Sequence, residues 1–128
     1  MALQAIVARD ESFHRMKRRD DFIKTFVFPD GCLPSVAAIT KATRDSPALE
    51  IIDVHDIGHH YAPTLRGWRQ NLASAAEEVA ALGFDEPRFT RLWDMYLAYC
   101  EAGFLQRYVS AVQITLRRNG QAASYAPR

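Results

Sequence analysis

The sequence predicts an α/β fold, with helices laid over a small sheet and strands separated by helical segments rather than hairpins. Three observations carry this. Apolar runs of strand type occur near both ends and the middle of the chain, at residues 2–8, 49–54 and 112–116. Between them, apolar residues recur at alternating steps of three and four, the spacing of amphipathic helices. Turn formers punctuate the joints, as in Pro29-Asp30-Gly31, Ser46-Pro47, Gly83 and Pro87. An order of strand, helices, strand, two long helices, strand is α/β. Three short strands make a thin sheet for so many helices, which points to part of a larger one.

The first strand is Leu3-Gln4-Ala5-Ile6-Val7 with its flanking alanines. Residues 10–21 are charged and irregular. Phe22, Ile23, Phe26 and Val27 have helical spacing, closed by the Pro29-Asp30-Gly31 turn. Ser35 is positioned to cap the next helix, which continues through Val36 and Ile39. Leu49 to Val54 is the second strand. Leu65, Trp68, Leu72, Ala75, Val79 and Leu82 then define one long amphipathic helix stopped by Gly83. Pro87 suits a first helical turn, and a second long helix follows. Phe89, Trp93, Tyr96, Cys100 and Phe104 share one of its faces, while Leu92, Met95 and Tyr99 cover much of the rest. Val112, Ile114 and Leu116 alternate with Ala111, Gln113 and Thr115 to give the third strand. The tail from Asn119 is poor in apolar bulk and is expected to be disordered.

The 128 residues are 48% hydrophobic, the size of one domain, and their net charge of +1 implies no nucleic-acid partner. Arg15, Lys17, Arg18 and Arg19 form a local basic run, read as a solvated face or a contact for phosphate or lipid headgroups. Two cysteines in dissimilar settings give no disulfide framework, and a cytoplasmic location, with peripheral contact at the inner membrane, is expected. No run is long enough for a membrane span.

Among candidate chemical groups, His55, His59 and His60 lack regular ligand spacing and have no cysteine nearby, so no metal site is expected. Cys100 reads as a small buried residue or as a channel wall; Glu101 beside it would not activate a thiolate. Tyr61, just past Gly58, packs or reaches into a cleft. Glu77 and Glu78 read as solvated. No Gly-rich loop joins a strand to a helix, so no cofactor-binding residues are assigned.

Three stretches together resemble the C-terminal part of the cyclopropane-fatty-acyl-phospholipid synthase and mycolic acid methyltransferase family. They are Phe26 to Ser35, Gly58 to Trp68 and Tyr96 to Phe104, followed by Gln113. The resemblance implies a partial Rossmann-like methyltransferase fold over residues 1–118, comprising the last three strands of a seven-stranded sheet and the lipid-channel helices. It implies an S-adenosylmethionine-dependent transferase of one-carbon groups acting in lipid biosynthesis on an unsaturated phospholipid acyl chain. By the same resemblance, the alkene would attack the sulfonium methyl to give a carbocation, from which a bound bicarbonate would remove a proton as the ring closes. By resemblance, Tyr61, Gln4 and Ile6 belong to the bicarbonate site, with Gln4 standing where some members have an ionisable His. Trp68, Trp93, Tyr96, Cys100, Phe104 and Phe28 would hold the acyl chain.

The half of the family's domain that grips S-adenosylmethionine has no counterpart in these residues. The expectation is an acyl-binding portion inactive alone, completed by a separate N-terminal half or by self-association through an exposed first strand. The alternative is a non-catalytic lipid-binding or interaction remnant.

Overall fold

The computed structural model describes residues 1–46, 48–84 and 87–120. Its elements are β1 (Ala2–Ala8), α1 (Asp10–Arg18), α2 (Phe22–Phe26), α3 (Val36–Arg44), β2 (Leu49–Asp56), a 3₁₀ turn (Gly58–His60), α4 (Tyr61–Ser74), α5 (Ala76–Ala81), α6 (Arg88–Leu105) and β3 (Val109–Arg118). The three predicted strands form one sheet in the order β1-β3-β2, with β3 antiparallel to both neighbours. The first and second strands therefore run parallel, with the last inserted between them.

Alternation along β3 divides the core in two. Val112, Ile114 and Leu116 are buried with Val7 on one face, under Val36 and Ile39 of α3. Ala111 lies on the other face beneath Ala62 and Leu65 of α4 and Leu97 and Phe104 of α6. Burying each large aliphatic side chain contributes about 1.5–3 kcal/mol. Both strips depend on the register that opposes Gln4 to Gln113 and Ile6 to Ala111. Opposite, the β2 register shifts between Ile51 and Asp53, a bulge.

The edge of β1 is open. Met1 and Leu116 exchange both backbone hydrogen bonds, so Leu3, Ala5 and Val7 also face β3 through their backbone groups. Ala2, Gln4, Ile6 and Ala8 turn theirs outward, and the Ala8 N–H donates to Pro34 at 2.8 Å.

Ser35 does cap α3: its hydroxyl accepts the Ala38 N–H at 3.2 Å. Two expectations differ. Residues 10–18, read as irregular, form α1: Asp10 and Glu11 occupy the first turn and Arg15, Lys17 and Arg18 the last, while Ser12, Phe13 and Met16 make a short inward face. Its ends are tied down, Asp10 accepting the Ala37 N–H at 3.0 Å and Lys24 Nζ donating to the Met16 and Arg19 carbonyls at 2.7 and 2.8 Å. The single helix expected over 65–82 breaks at Ala75 into α4 and α5. The Ser74 hydroxyl back-bonds to the Gln70 carbonyl at 3.0 Å, which bends helices, and Glu77 and Glu78 favour a fresh N-terminus. Of the expected loose tail, Asn119 donates its N–H to Ala48 at 3.0 Å, while 121–128, like Pro47, lie outside the described residues.

Helices α4 and α6 are clamped by a carboxylate that is nearly out of solvent. Glu101, 8% exposed, meets Arg66 at 2.7 Å and Arg69 at 3.6 Å, and Arg69 also reaches Asp94 at 2.9 Å. Removing the arginines would leave a buried charge unpaired, whereas neutralising Glu101 frees only the largely exposed Arg66 and leaves Arg69 on Asp94. Arg66→Ala combined with Arg69→Ala is therefore expected to cost more stability, about 2–4 kcal/mol, than Glu101→Gln at about 1 kcal/mol in urea melts.

Candidate functional site

Side chains of β1, β3 and α4 meet in one hydrogen-bonded row. Gln113 Nε2 donates to Gln4 Oε1 at 3.0 Å, and Gln4 Nε2 donates to the Tyr61 hydroxyl at 3.0 Å. Gln4 and Gln113 are directly opposite in a non-hydrogen-bonded pair, where cross-strand side chains approach most closely. Tyr61 opens α4, and its ring stacks on Phe104 at 4.9 Å. The Tyr61 oxygen accepts from Gln4 and keeps its own proton to give; each glutamine amide keeps a second N–H. The row thus offers neutral donors to a small anion. Ile6 lies on the same face two residues along, with its backbone groups turned to the open edge.

The turn that delivers Tyr61 is set by a close approach. Asp56 Oδ1 accepts from the Gly58 N–H at 2.8 Å and the Ser110 hydroxyl at 2.6 Å. The Ser110 bond, followed by Gly58, His59 and Arg107, outweighs burial and holds the Asp56 carboxyl below its usual range. A Cβ on Gly58 would collide with Ser110 Oγ, so any larger residue forces the turn or Ser110 to shift.

Beside the row lies an apolar cavity of about 640 Å³, lined by Ile6, Met16, Phe28, Tyr96, Tyr99, Cys100, Gly103, Phe104 and Tyr108 among others. Three groups of its wall favour their neutral forms. Burial, then Cys100, pushes Tyr96 up to about 12, and burial likewise raises Tyr99 and Cys100. A second cavity of about 650 Å³ at the carboxyl ends of β1 and β2 is more polar, with Arg9, Asp10, Asp56, His59, Arg107 and Ser110 on its walls.

The residues expected to act together are thus partly assembled. Gln4, Ile6 and Tyr61 share one side of the sheet, and Phe28, Tyr96, Cys100 and Phe104 wall the apolar cavity. Tyr61 and Cys100 pack on the same core cluster. Trp68 departs from the expectation: it is 52% exposed on α4 and lines neither cavity, because the α4 residues turned inward are Ala62 and Leu65. Trp93 stands edge-on behind Tyr96 at 5.4 Å rather than in the wall. Gln113, Asp56 and Ser110 were not singled out as site residues. A glutamine in mid-strand between Val112 and Ile114 is the signal that marks the first; the other two become visible only in the turn. Among the described residues no three His, Cys, Asp or Glu groups could hold a metal ion, and no helix is long and apolar enough to cross a membrane.

Two outcomes follow from this geometry. Gly58→Ala is expected to lose about 1–3 kcal/mol in thermal or urea melts, part of it regained when Ser110→Ala removes the clashing oxygen. Thiol alkylation at about pH 8 is expected to modify exposed Cys32 roughly tenfold faster than Cys100, whose raised pKa keeps it protonated.

Known proteins are similar to this chain in sequence and fold. The family described as mycolic acid cyclopropane synthetase matches residues 1–114. The chain is 40% identical over 120 residues to the tuberculostearic acid methyltransferase of Mycobacterium tuberculosis, covering 94% of this chain and 28% of that protein. It is 33% identical over 99 residues to the cyclopropane-fatty-acyl-phospholipid synthase of Escherichia coli strain K12, covering 77% of this chain and 25% of that one. The chain therefore spans about a quarter of these relatives' length. The crystal structure of a mycolic acid cyclopropane synthase complexed with SAH and CTAB superposes with a TM-score of 0.77 at 24% identity, over 93% of this chain and 44% of that one, which shows a shared fold. The chain belongs to the mycolic acid cyclopropane synthetase family.

Proposed function

We propose that the chain is the C-terminal, acyl-holding portion of an S-adenosylmethionine-dependent enzyme that transfers a one-carbon group to an unsaturated phospholipid acyl chain. The observation that carries this reading is the position of Phe104. Its ring backs Tyr61 in the hydrogen-bonded row and also walls the apolar cavity. An apolar ligand and a polar, proton-handling group would thus share one wall.

The donors of the row fit a small oxyanion such as bicarbonate, which when bound would supply a base for the proton lost from the reacting chain. Tyr61 would hold it through its free O–H, Gln4 through its second amide N–H, and Ile6 through its outward backbone. Because these groups are neutral, they orient an anion while lowering its basicity less than a cationic group would. Phe28, Tyr96 and Phe104 would exclude water from the chain.

The residues present do not form a grip for S-adenosylmethionine, and the reading assigns that role outside these 128 residues. The outward N–H and C=O groups of Ala2 and Gln4 support this assignment. They form a template for a further strand, from a separate half or a second copy. Gln4 also favours a second reading, a non-catalytic lipid binder, because both ends of its amide are already engaged with protein partners.

Titration with a fluorescent fatty acid is expected to show saturable binding to the chain. Ile6→Trp, at a strand position 38% exposed, should fill the cavity and weaken binding by about tenfold or more. No saturable binding, or binding indifferent to Ile6→Trp, overturns the acyl-holding role. Calorimetry with S-adenosylmethionine is expected to register no binding, and tight binding overturns the assignment of the cofactor grip elsewhere.

A further inference from the structure

We propose that the end of α1 and the adjoining α2 form a docking surface for anionic membranes, which sets the mouth of the apolar cavity against lipid headgroups. This rests on the acyl-holding reading of the cavity and names the surface through which the lipid reaches it.

The charges come first. Arg15, Lys17, Arg18 and Arg19 are all exposed, and none of the ion pairs found among the described residues uses them. Arg18 donates only to the His14 carbonyl of its own helix at 3.2 Å. Two acidic residues follow. Asp20 is exposed, and the Asp21 carboxylate accepts the Lys24 N–H at the start of α2. A surplus of positive charge remains on this side.

Placement comes next. Arg15 Nη2 donates to the Tyr108 hydroxyl at 3.3 Å, and Tyr108 and Met16 both line the apolar cavity, so the basic run lies at its rim. Lys24 also lines the cavity, but its ammonium is taken up by carbonyls of Met16, Lys17 and Arg19. That anchor pins α2 to the end of α1. Phe26 is 63% exposed, and Phe28 beyond it is half exposed at the cavity wall.

Single exposed aromatic residues are ordinary. An exposed ring in the wall of an apolar cavity, with cations at its rim, is the composition of an interfacial surface, where rings enter the acyl boundary and cations meet phosphates. A soluble fatty acid presents one carboxylate and needs one cation. Four cations with no ion partner among the described residues match a surface carrying many anionic groups.

Vesicle sedimentation of the 128-residue chain tests this. Partitioning onto phosphatidylglycerol-containing vesicles is expected to exceed that onto pure phosphatidylcholine by on the order of tenfold or more, and to fall as salt rises. The triple variant K17Q/R18Q/R19Q should lose that preference with an unchanged circular dichroism spectrum and unchanged fluorescent fatty-acid binding. Phe26→Ser should weaken partitioning onto both vesicle types. Equal wild-type partitioning onto the two, or a preference that survives the triple variant, overturns the proposal. Should the triple variant misfold, Arg15→Gln and the salt dependence of the wild type decide. Failure of fatty-acid binding with the vesicle preference intact would count against the acyl-holding reading alone and leave the docking surface standing.

Discussion

Most of the architecture depends on β3 lying between two strands that run the other way. That one strand supplies Val112, Ile114 and Leu116 to the core under α3 and Ala111 to the core under α4 and α6. Its register also places Gln113 opposite Gln4. A slip of one residue would exchange the two faces, burying the glutamine and exposing Ile114, which is 1% accessible. The apolar core and the polar row are therefore fixed by the same pairing, and the site inherits the rigidity of the sheet.

From that base, short-range devices aim the remaining groups. Asp56 holds Gly58 against Ser110, so the chain leaves β2, turns once and enters α4 with Tyr61 over the sheet. At the other end of the helical layer, Arg107 adopts a left-handed backbone with φ of 52°, and Tyr108 donates back to Gly103 at 2.9 Å, turning the chain from α6 into β3. The two turns bracket Phe104, the ring common to the polar row and the apolar cavity. Polar and apolar functions lie side by side here because two helix–strand junctions converge on one residue.

The relatives of this chain are about four times its matched length, and its structure has features suited to a portion of a larger sheet. One side of β1 offers alternate backbone groups in a regular row, and the apolar cavity opens beside it. An isolated domain commonly blunts such an edge with charge, proline or a bulge. Here the residues 2–7 carry no charge, and the irregularity in the sheet lies in β2 instead.

Much of the fold was legible in the residues. Periodicity located all three strands and the helices over 22–26 and 88–105, Ser35 announced its cap, and the motifs around Tyr61 and Phe104 carried the family. Local sequence determines such features because they depend on near neighbours: apolar spacing, a hydroxyl before a helix, a proline or glycine at a joint. Helix α1 was missed because only Phe13 and Met16 mark its inward face, and macrodipole pairing and distant caps supply the rest of its hold. What tertiary structure alone decided was which residues meet. The strand order, the link from Gln113 through Gln4 to Tyr61 over a separation of up to 109 residues, the outward turn of Trp68, and the basic run at the rim of an apolar cavity all arise from that packing. Long-range contacts of this kind leave no periodic trace in a sequence, since each is set by how whole elements pack rather than by the residues beside it.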